Sequence, residues 1–164
     1  MSPAAPLRPA RPGRPVPDAV AYLTGRWAVE RELFDLRTGT AGSFRGTARF
    51  ERDGDGGRVR HVEDGELRWD GAPPVRAGRM LGLAPAPDGT AEVTFADGRP
   101  FHGLDLRTGR WTVRHPCAAD RYDGAFTVVS ADEWHVRWRT TGPAKDHLQS
   151  SVYRRLPPEP GGGR

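Results

Sequence analysis

The sequence predicts an all-β protein: a closed or nearly closed antiparallel up-and-down β-barrel of about ten strands, with a short N-terminal helix capping one end. Three observations carry this expectation. Short apolar–polar alternations recur from residue 26 to residue 155, and a period of two marks a half-buried strand. Turn dipeptides punctuate them: Thr38-Gly39, Asp53-Gly54, Asp64-Gly65, Asp88-Gly89, Asp97-Gly98, Thr108-Gly109 and Asp123-Gly124. Asp-Gly between alternating runs signals a tight hairpin, because both turn positions take positive φ. No helix of βαβ length separates the runs, which argues against a parallel sheet.

The elements follow in order. Asp18 to Thr24 is the only helical segment, with Asp18 as its cap and Gly25 as its stop. Arg26 to Phe34 then places Trp27, Val29, Arg31 and Leu33 on one face, and Ser43 to Glu51 does so for Phe44, Ala48 and Phe50. Further runs cover Arg58 to Glu63, Glu66 to Asp70, Val75 to Leu83, Ala91 to Ala96 and Pro100 to Asp105. Trp111 to His115, Ala125 to Ser130, Trp134 to Thr140 and Leu148 to Arg155 complete the set. The pentapeptide Asp35-Leu36-Arg37-Thr38-Gly39 recurs at Asp105 to Gly109. Shared turn chemistry accounts for it, because the flanks do not repeat.

The ends read differently. Pro3, Pro6, Pro9, Pro12 and Pro15 recur every third residue, with Arg8, Arg11 and Arg14 between them. A three-residue period suits polyproline II, so residues 1–17 are expected to be a disordered, partly extended leader. The alternative is a ligand for a proline-reading domain. Residues 157–164 are expected to be a disordered Pro/Gly tail, leaving 18–156 as the barrel domain. The leader has no apolar core of a secretory signal. With one unpaired thiol, the expected location is the cytoplasm.

Composition narrows the function. The 164 residues make one domain. Cys117 is the single cysteine, which excludes an internal disulfide framework and a thiolate-rich zinc site. No apolar run reaches the roughly 18 residues of a membrane helix, so no membrane partner is expected. The net charge is +4, with 25 Lys and Arg against 21 Asp and Glu, and Lys145 is the only lysine. Scattered arginines draw phosphate weakly without reading sequence, so no specific nucleic-acid partner is expected. The expected state is a monomer or homodimer that takes a small-molecule ligand and no cofactor.

Leu23-Thr24-Gly25-Arg26-Trp27 places a helix and Gly-x-Trp at the entry to the first strand, and Arg154-Arg155 closes the last. Where first and last strands pair, a terminal arginine, assigned to Arg154, lies over the indole of Trp27 as a cation–π pair. This arrangement, with Gly25, Trp27 and Arg154 as structural residues, resembles the calycins: lipocalins, fatty-acid-binding proteins and nitrobindin-like barrels. Further on come Asp97-Gly98-Arg99-Pro100-Phe101-His102, Leu104-Asp105-Leu106 and His115-Pro116-Cys117, with Asp120 and Tyr122. Trp134, Trp138, Gly142-Pro143, Lys145-Asp146, Ser151 and Tyr153-Arg154 follow. From Tyr22 to Arg155 the chain resembles the mainly actinobacterial domain of unknown function 6314. That resemblance implies a calycin-like barrel and no activity.

Alternation places Trp111, Val113, His115 and Cys117 on one face, and His102 with Leu104 and Leu106 on another. The turn at Thr108-Gly109 makes these strands neighbours, so His102, His115 and Cys117 are expected to converge in the cavity, with Asp120 and Tyr122 close by. Four readings stay open. The cluster is the polar floor of a small-molecule pocket, or a structural hydrogen-bonded network. Alternatively, Cys117 is a nucleophile activated by histidine in a small cofactor-independent enzyme using His102, His115, Cys117 and Asp120. Or His and Cys ligate a metal or haem iron; His147 suggests haem, but the glycine-rich opening of nitrobindin-like barrels is missing after Trp27.

Arg31, on the inward face, needs an anionic partner, either a ligand carboxylate or phosphate or an internal Asp or Glu. Arg60, His61, Arg79 and Arg99 are weaker candidates of the same kind. Trp134, Val136 and Trp138 form an inward stripe, read as core or as the wall of a flat apolar ligand. The expected function is binding of a small, partly aromatic or anionic molecule by Arg31, His102, His115, Cys117, Asp120, Tyr122 and Trp138. Catalytic residues are not assigned.

Overall fold

The computed structural model describes residues 13–161. One helix precedes ten strands: α1 (Ala19–Leu23), β1 (Gly25–Asp35), β2 (Thr40–Arg52), β3 (Val59–Trp69), β4 (Val75–Pro85) and β5 (Ala91–Phe95). β6 (Pro100–Leu104), β7 (Arg110–Cys117), β8 (Asp120–Ser130), β9 (Glu133–Gly142) and β10 (Lys145–Leu156) complete the chain. Every pairing is antiparallel, in the order β6-β5-β4-β3-β2-β1-β10-β9-β8-β7. The first and last strands pair over ten positions, from Arg26 opposite Leu156 to Asp35 opposite His147. The barrel is therefore nearly closed. Its one break lies between β6 and β7, where no main-chain ladder forms.

Two turn expectations are corrected. Asp64-Gly65 lies inside β3 and Asp123-Gly124 inside β8. Neither glycine takes the positive φ found at Gly39, Gly54, Gly89, Gly98 and Gly109. They serve close approach instead. A Cβ at Gly65 would strike the backbone of Arg45 and Gly46 and the Phe44 ring, and one at Gly124 would strike the indole of Trp138. The runs at Arg58 and Glu66 are consequently one strand. The hairpin between β7 and β8 turns at Ala118, with φ of 54°.

Helix and last strand close one barrel end together. Asp18 caps α1 by accepting the Ala21 N–H at 3.1 Å. A helix end leaves carbonyls without partners, and here side chains take them. Trp27 Nε1–H donates to Leu23 O at 2.8 Å, while Arg155 donates to Tyr22 O at 2.9 Å and to Thr24 O at 3.4 Å. The Arg155 guanidinium lies 4.1 Å from the Trp27 ring centre.

The expected clamp therefore exists, but its arginine is Arg155, not Arg154. Trp27 pairs with Arg155 across the β1–β10 ladder, so the two share a face. Arg154 has the opposite parity and bridges Glu30 and Glu133 outside.

The boundary expected at Asp18 also moves. Residues 13–17 pack on the barrel, with Val16 buried. Arg14 N–H donates to Val128 O at 2.8 Å and Val16 N–H to Leu106 O at 3.0 Å. Gly13 meets Gly109 so closely that a Cβ on either would collide with the other's backbone. Residues 1–12 of the leader and 162–164 of the tail lie outside the described residues.

Arg155→Ala removes a cation–π contact and two helix-end hydrogen bonds, so it should cost about 1–3 kcal/mol. Arg154→Ala breaks exposed ion pairs only and should cost about 0–1 kcal/mol. Chemical denaturation of the two variants checks the order; equal losses would remove the clamp from the account.

Candidate functional site

The barrel interior is not uniformly apolar. β3 presents Val59, His61 and Glu63 inward, β4 presents Arg79, β1 presents Arg31, and β10 presents Ser151 and Tyr153. Glu63 is only 2% exposed. Its carboxylate accepts from Arg31 Nη2 at 2.9 Å, Arg79 Nε at 3.0 Å and His61 Nε2 at 3.0 Å, and from the Tyr153 hydroxyl. Arg31 Nε donates to Ser151 Oγ at 2.7 Å, and its guanidinium lies 5.1 Å from the Phe44 ring centre. Inward Ala48 stands beside Glu63 in the ladder, a small residue where the two strands bring a buried carboxylate.

The charges do not balance. Burial pushes the Glu63 carboxyl up, but the His61 hydrogen bond and the Arg79 and Arg31 charges outweigh it and hold it well below the carboxylate range. Burial lowers His61, keeping the imidazole neutral at pH 7. Burial and the Glu63 charge push Tyr153 up to about 12, so the phenol is neutral. Arginine does not lose its proton in proteins. Two guanidinium charges thus face one carboxylate, leaving one net positive charge inside the barrel.

Two cavities flank this cluster. The inner one, about 40 Å³, lies between it and the helix. Leu23, Phe50, His102, Phe126, Trp134 and Trp138 are among its walls. Trp134 stacks on Tyr153 at 3.8 Å between ring centres, yet its buried indole N–H has no partner among the described residues. His102 Nδ1 lies 2.7 Å from Gly103 O, which places the proton there and leaves Nε2 as an acceptor. Burial lowers His102, so it too is neutral at pH 7.

The other cavity, about 180 Å³, lies on the far side. Arg31, Arg79, Leu33, Phe44 and Leu67 line it. A larger concavity, about 860 Å³, is an open groove beside Arg114, Arg137 and Arg139.

The sequence candidates separate. His102 and Trp138 line the inner cavity, and Arg31 joins the ion cluster with His61 and Arg79. Of the expected trio, His102 and His115 both pack around Phe101, with ring centres 4.8 Å and 5.2 Å away, whereas Cys117 does not join them. His115 packs its ring 5.2 Å from Phe101 and 6.3 Å from Tyr122. Cys117 is exposed at the end of β7, where the strand runs past the barrel wall. Asp120 accepts from Lys145 Nζ at 2.8 Å instead of orienting an imidazole. Arg60 and Arg99 pair outside with Asp53 and Asp97. His147 sits 3.7 Å from Asp35 near the β1–β10 end. Among the described residues, no group of three or more His, Cys, Asp or Glu side chains is placed to hold a metal ion.

Sequence reasoning missed Glu63, Tyr153 and Ser151 as cluster members. The signal for Glu63 was the alternation Val59, His61, Glu63, which lies whole within the Arg58 to Glu63 run.

Removing the carboxylate leaves the buried Arg31 guanidinium without its counter-charge and facing the partly exposed Arg79. Glu63→Gln should therefore cost about 3–5 kcal/mol at pH 7. A carboxyl whose folded pKa is depressed stabilises above the unfolded value, here about 4.5, and that stability is lost as pH falls below it. The gap between wild type and variant should narrow below pH 4.5. Denaturant titrations at pH 7 and pH 3 measure it; a constant gap would deny that Glu63 is ionised in the fold.

The model of a family of unknown function, DUF6314, matches residues 23–155. No curated protein sequence matches the chain. Among solved structures, the S-type phycobiliprotein lyase CPES from Guillardia theta is similar, at 10% identity and a TM-score of 0.59, covering 85% of this chain and 92% of that one. A de novo designed fluorescence-activating β-barrel covers 85% of this chain and 98% of its own, at 19% identity and a TM-score of 0.41. A DUF3598 protein of unknown function from Nostoc punctiforme covers 88% and 51%, at 12% identity and a TM-score of 0.49. At these identities the likeness to the lyase concerns the fold alone. Among the described residues no helix is long and apolar enough to cross a membrane. With its family model spanning β1 to β10, the chain belongs to the DUF6314 family of unknown function.

Proposed function

We propose that this protein binds a small molecule inside the barrel, between the helix and the ion cluster. The observation that carries this reading is the unpartnered indole N–H of Trp134 in the wall region of an aromatic cavity. A buried donor without a partner costs about 1–3 kcal/mol, so an occupant with an acceptor is stabilised there. His102 Nε2 supplies an acceptor and Trp138 a flat wall. Gly124 leaves the room that the Trp138 ring occupies. His115 and Tyr122 belong to this reading as aromatic neighbours of Phe101, not as direct polar contacts.

At about 40 Å³ the cavity admits water-sized guests as it stands. A larger ligand enters by parting a wall, and the β6–β7 seam is the wall without a ladder. A side-chain bond spans it: Trp111 Nε1–H on β7 donates to Gly103 O on β6 at 2.8 Å. His102, beside that carbonyl, sits where the seam meets the cavity.

The enzyme reading has no comparable support, since Cys117 is exposed and lines neither cavity beside the ion cluster.

Acetophenone, an uncharged aromatic acceptor, should bind at least tenfold more tightly than ethylbenzene, which lacks the acceptor. Val136→Phe, which fills the cavity wall beside Phe126, should abolish both. Tryptophan fluorescence titration reads the affinities. Equal binding of the two probes, or none of either to wild type, would defeat the proposal.

A further inference from the structure

The ion cluster has a second side. Its carboxylate is saturated by five donors from four side chains. Its guanidinium groups are not saturated. Arg31 uses Nε and Nη2, and Arg79 uses Nε and Nη2, while neither Nη1 takes a partner among the described residues. Both arginines line the cavity of about 180 Å³ on the side away from the helix. The Arg31 side chain is nearly buried at 7%, whereas that of Arg79 is 37% exposed.

Charge supplies an independent argument. The residues facing this cavity include two cations and one anion, with Gln149 neutral and no second carboxylate. Arg31 is nearly buried, so the excess positive charge is only partly compensated by the solvent that reaches Arg79. One monoanion would neutralise the cluster. The planar guanidinium fork suits a carboxylate. The other walls are Leu33, Phe44, Leu67 and Ala77, which suit an apolar body.

We propose that the Arg31–Arg79 face of the cluster is a binding site for a small monocarboxylate with an apolar body. Its head group sits on the free guanidinium edges and its body lies against Leu33, Phe44 and Leu67. Arg79 is the residue that meets the ligand from solvent. Arg31 holds the second charge in place through Ser151 and Glu63. The site deepens the proposed binding function by naming a ligand class, and it rests on that reading only in assuming that the barrel binds small molecules at all.

The test compares hexanoate with hexanamide, which has the same shape and no charge. Isothermal titration calorimetry on the wild-type chain should give hexanoate at least tenfold tighter binding, weakening as sodium chloride is added. Arg79→Gln should lose tenfold or more for hexanoate. Arg79→Lys, which keeps the charge and loses the fork, should fall between. Equal affinity for acid and amide would overturn the site, as would no hexanoate binding, or an Arg79→Gln chain that melts normally and binds hexanoate as wild type does. The acetophenone titration separates the two proposals. Acetophenone binding without acid selectivity removes the carboxylate site alone. Acid-selective binding without acetophenone binding removes the inner-cavity reading alone.

Discussion

A carboxylate buried among two arginines is the constraint around which this barrel is arranged. Glu63 alone would be too costly to hide, and so would Arg31. Together they require a fixed geometry, because a guanidinium satisfies a carboxylate only from limited directions. Four strands contribute. β3 supplies Glu63 and His61, β4 supplies Arg79, β1 supplies Arg31, and β10 supplies Ser151 and Tyr153. Since β10 reaches β3 only through β1 and β2, the cluster exists only when the barrel has wrapped. The polar centre thus reports on closure, and closure exposes its unsatisfied edges to the cavities on either side.

The two barrel ends are finished in different ways. On the helix side, Leu23 and Trp27 fill the opening and Arg155 ties the helix carbonyls to the β8–β9 turn through Ala131 and Asp132. Tyr22 adds its hydroxyl to the carbonyls of Ser130 and Glu133. The strap from Gly13 to Pro17 crosses the β6–β7 turn on its way to the helix, bonding Leu106 O. Among the described residues no such plug covers the far side, and Arg79 keeps contact with solvent there. An asymmetric container of this sort, sealed at one end and cationic toward the other, is the physical content of the binding proposals.

Much of this was legible in the sequence. Alternation of Trp27, Val29, Arg31 and Leu33 gave the inward face of β1, and Asp18 and Gly25 bounded the helix. The pairing of chain ends followed from the Gly-x-Trp entry and the terminal arginines. What escaped has specific causes. Gly65 and Gly124 serve close packing, and a glycine of that kind looks the same in a sequence as a turn glycine. Misreading Gly65 cut β3 in two and left Glu63 at the end of a short run. One residue of register separates Arg155 from Arg154, and register is decided by the ladder, not by local composition. Cys117 kept the inward parity of His115, but parity says nothing about where a strand leaves the barrel wall.

Titration of Glu63 decides whether the buried carboxylate is ionised in the folded barrel. Carboxyl-carbon NMR across the acid range should show Glu63 still ionised at pH values where exposed carboxylates have taken up their protons, provided the fold persists. A Glu63 signal that titrates near the ordinary value of 4.5 would contradict the account. It would mean that the two arginines do not hold an ionised carboxylate in the folded barrel.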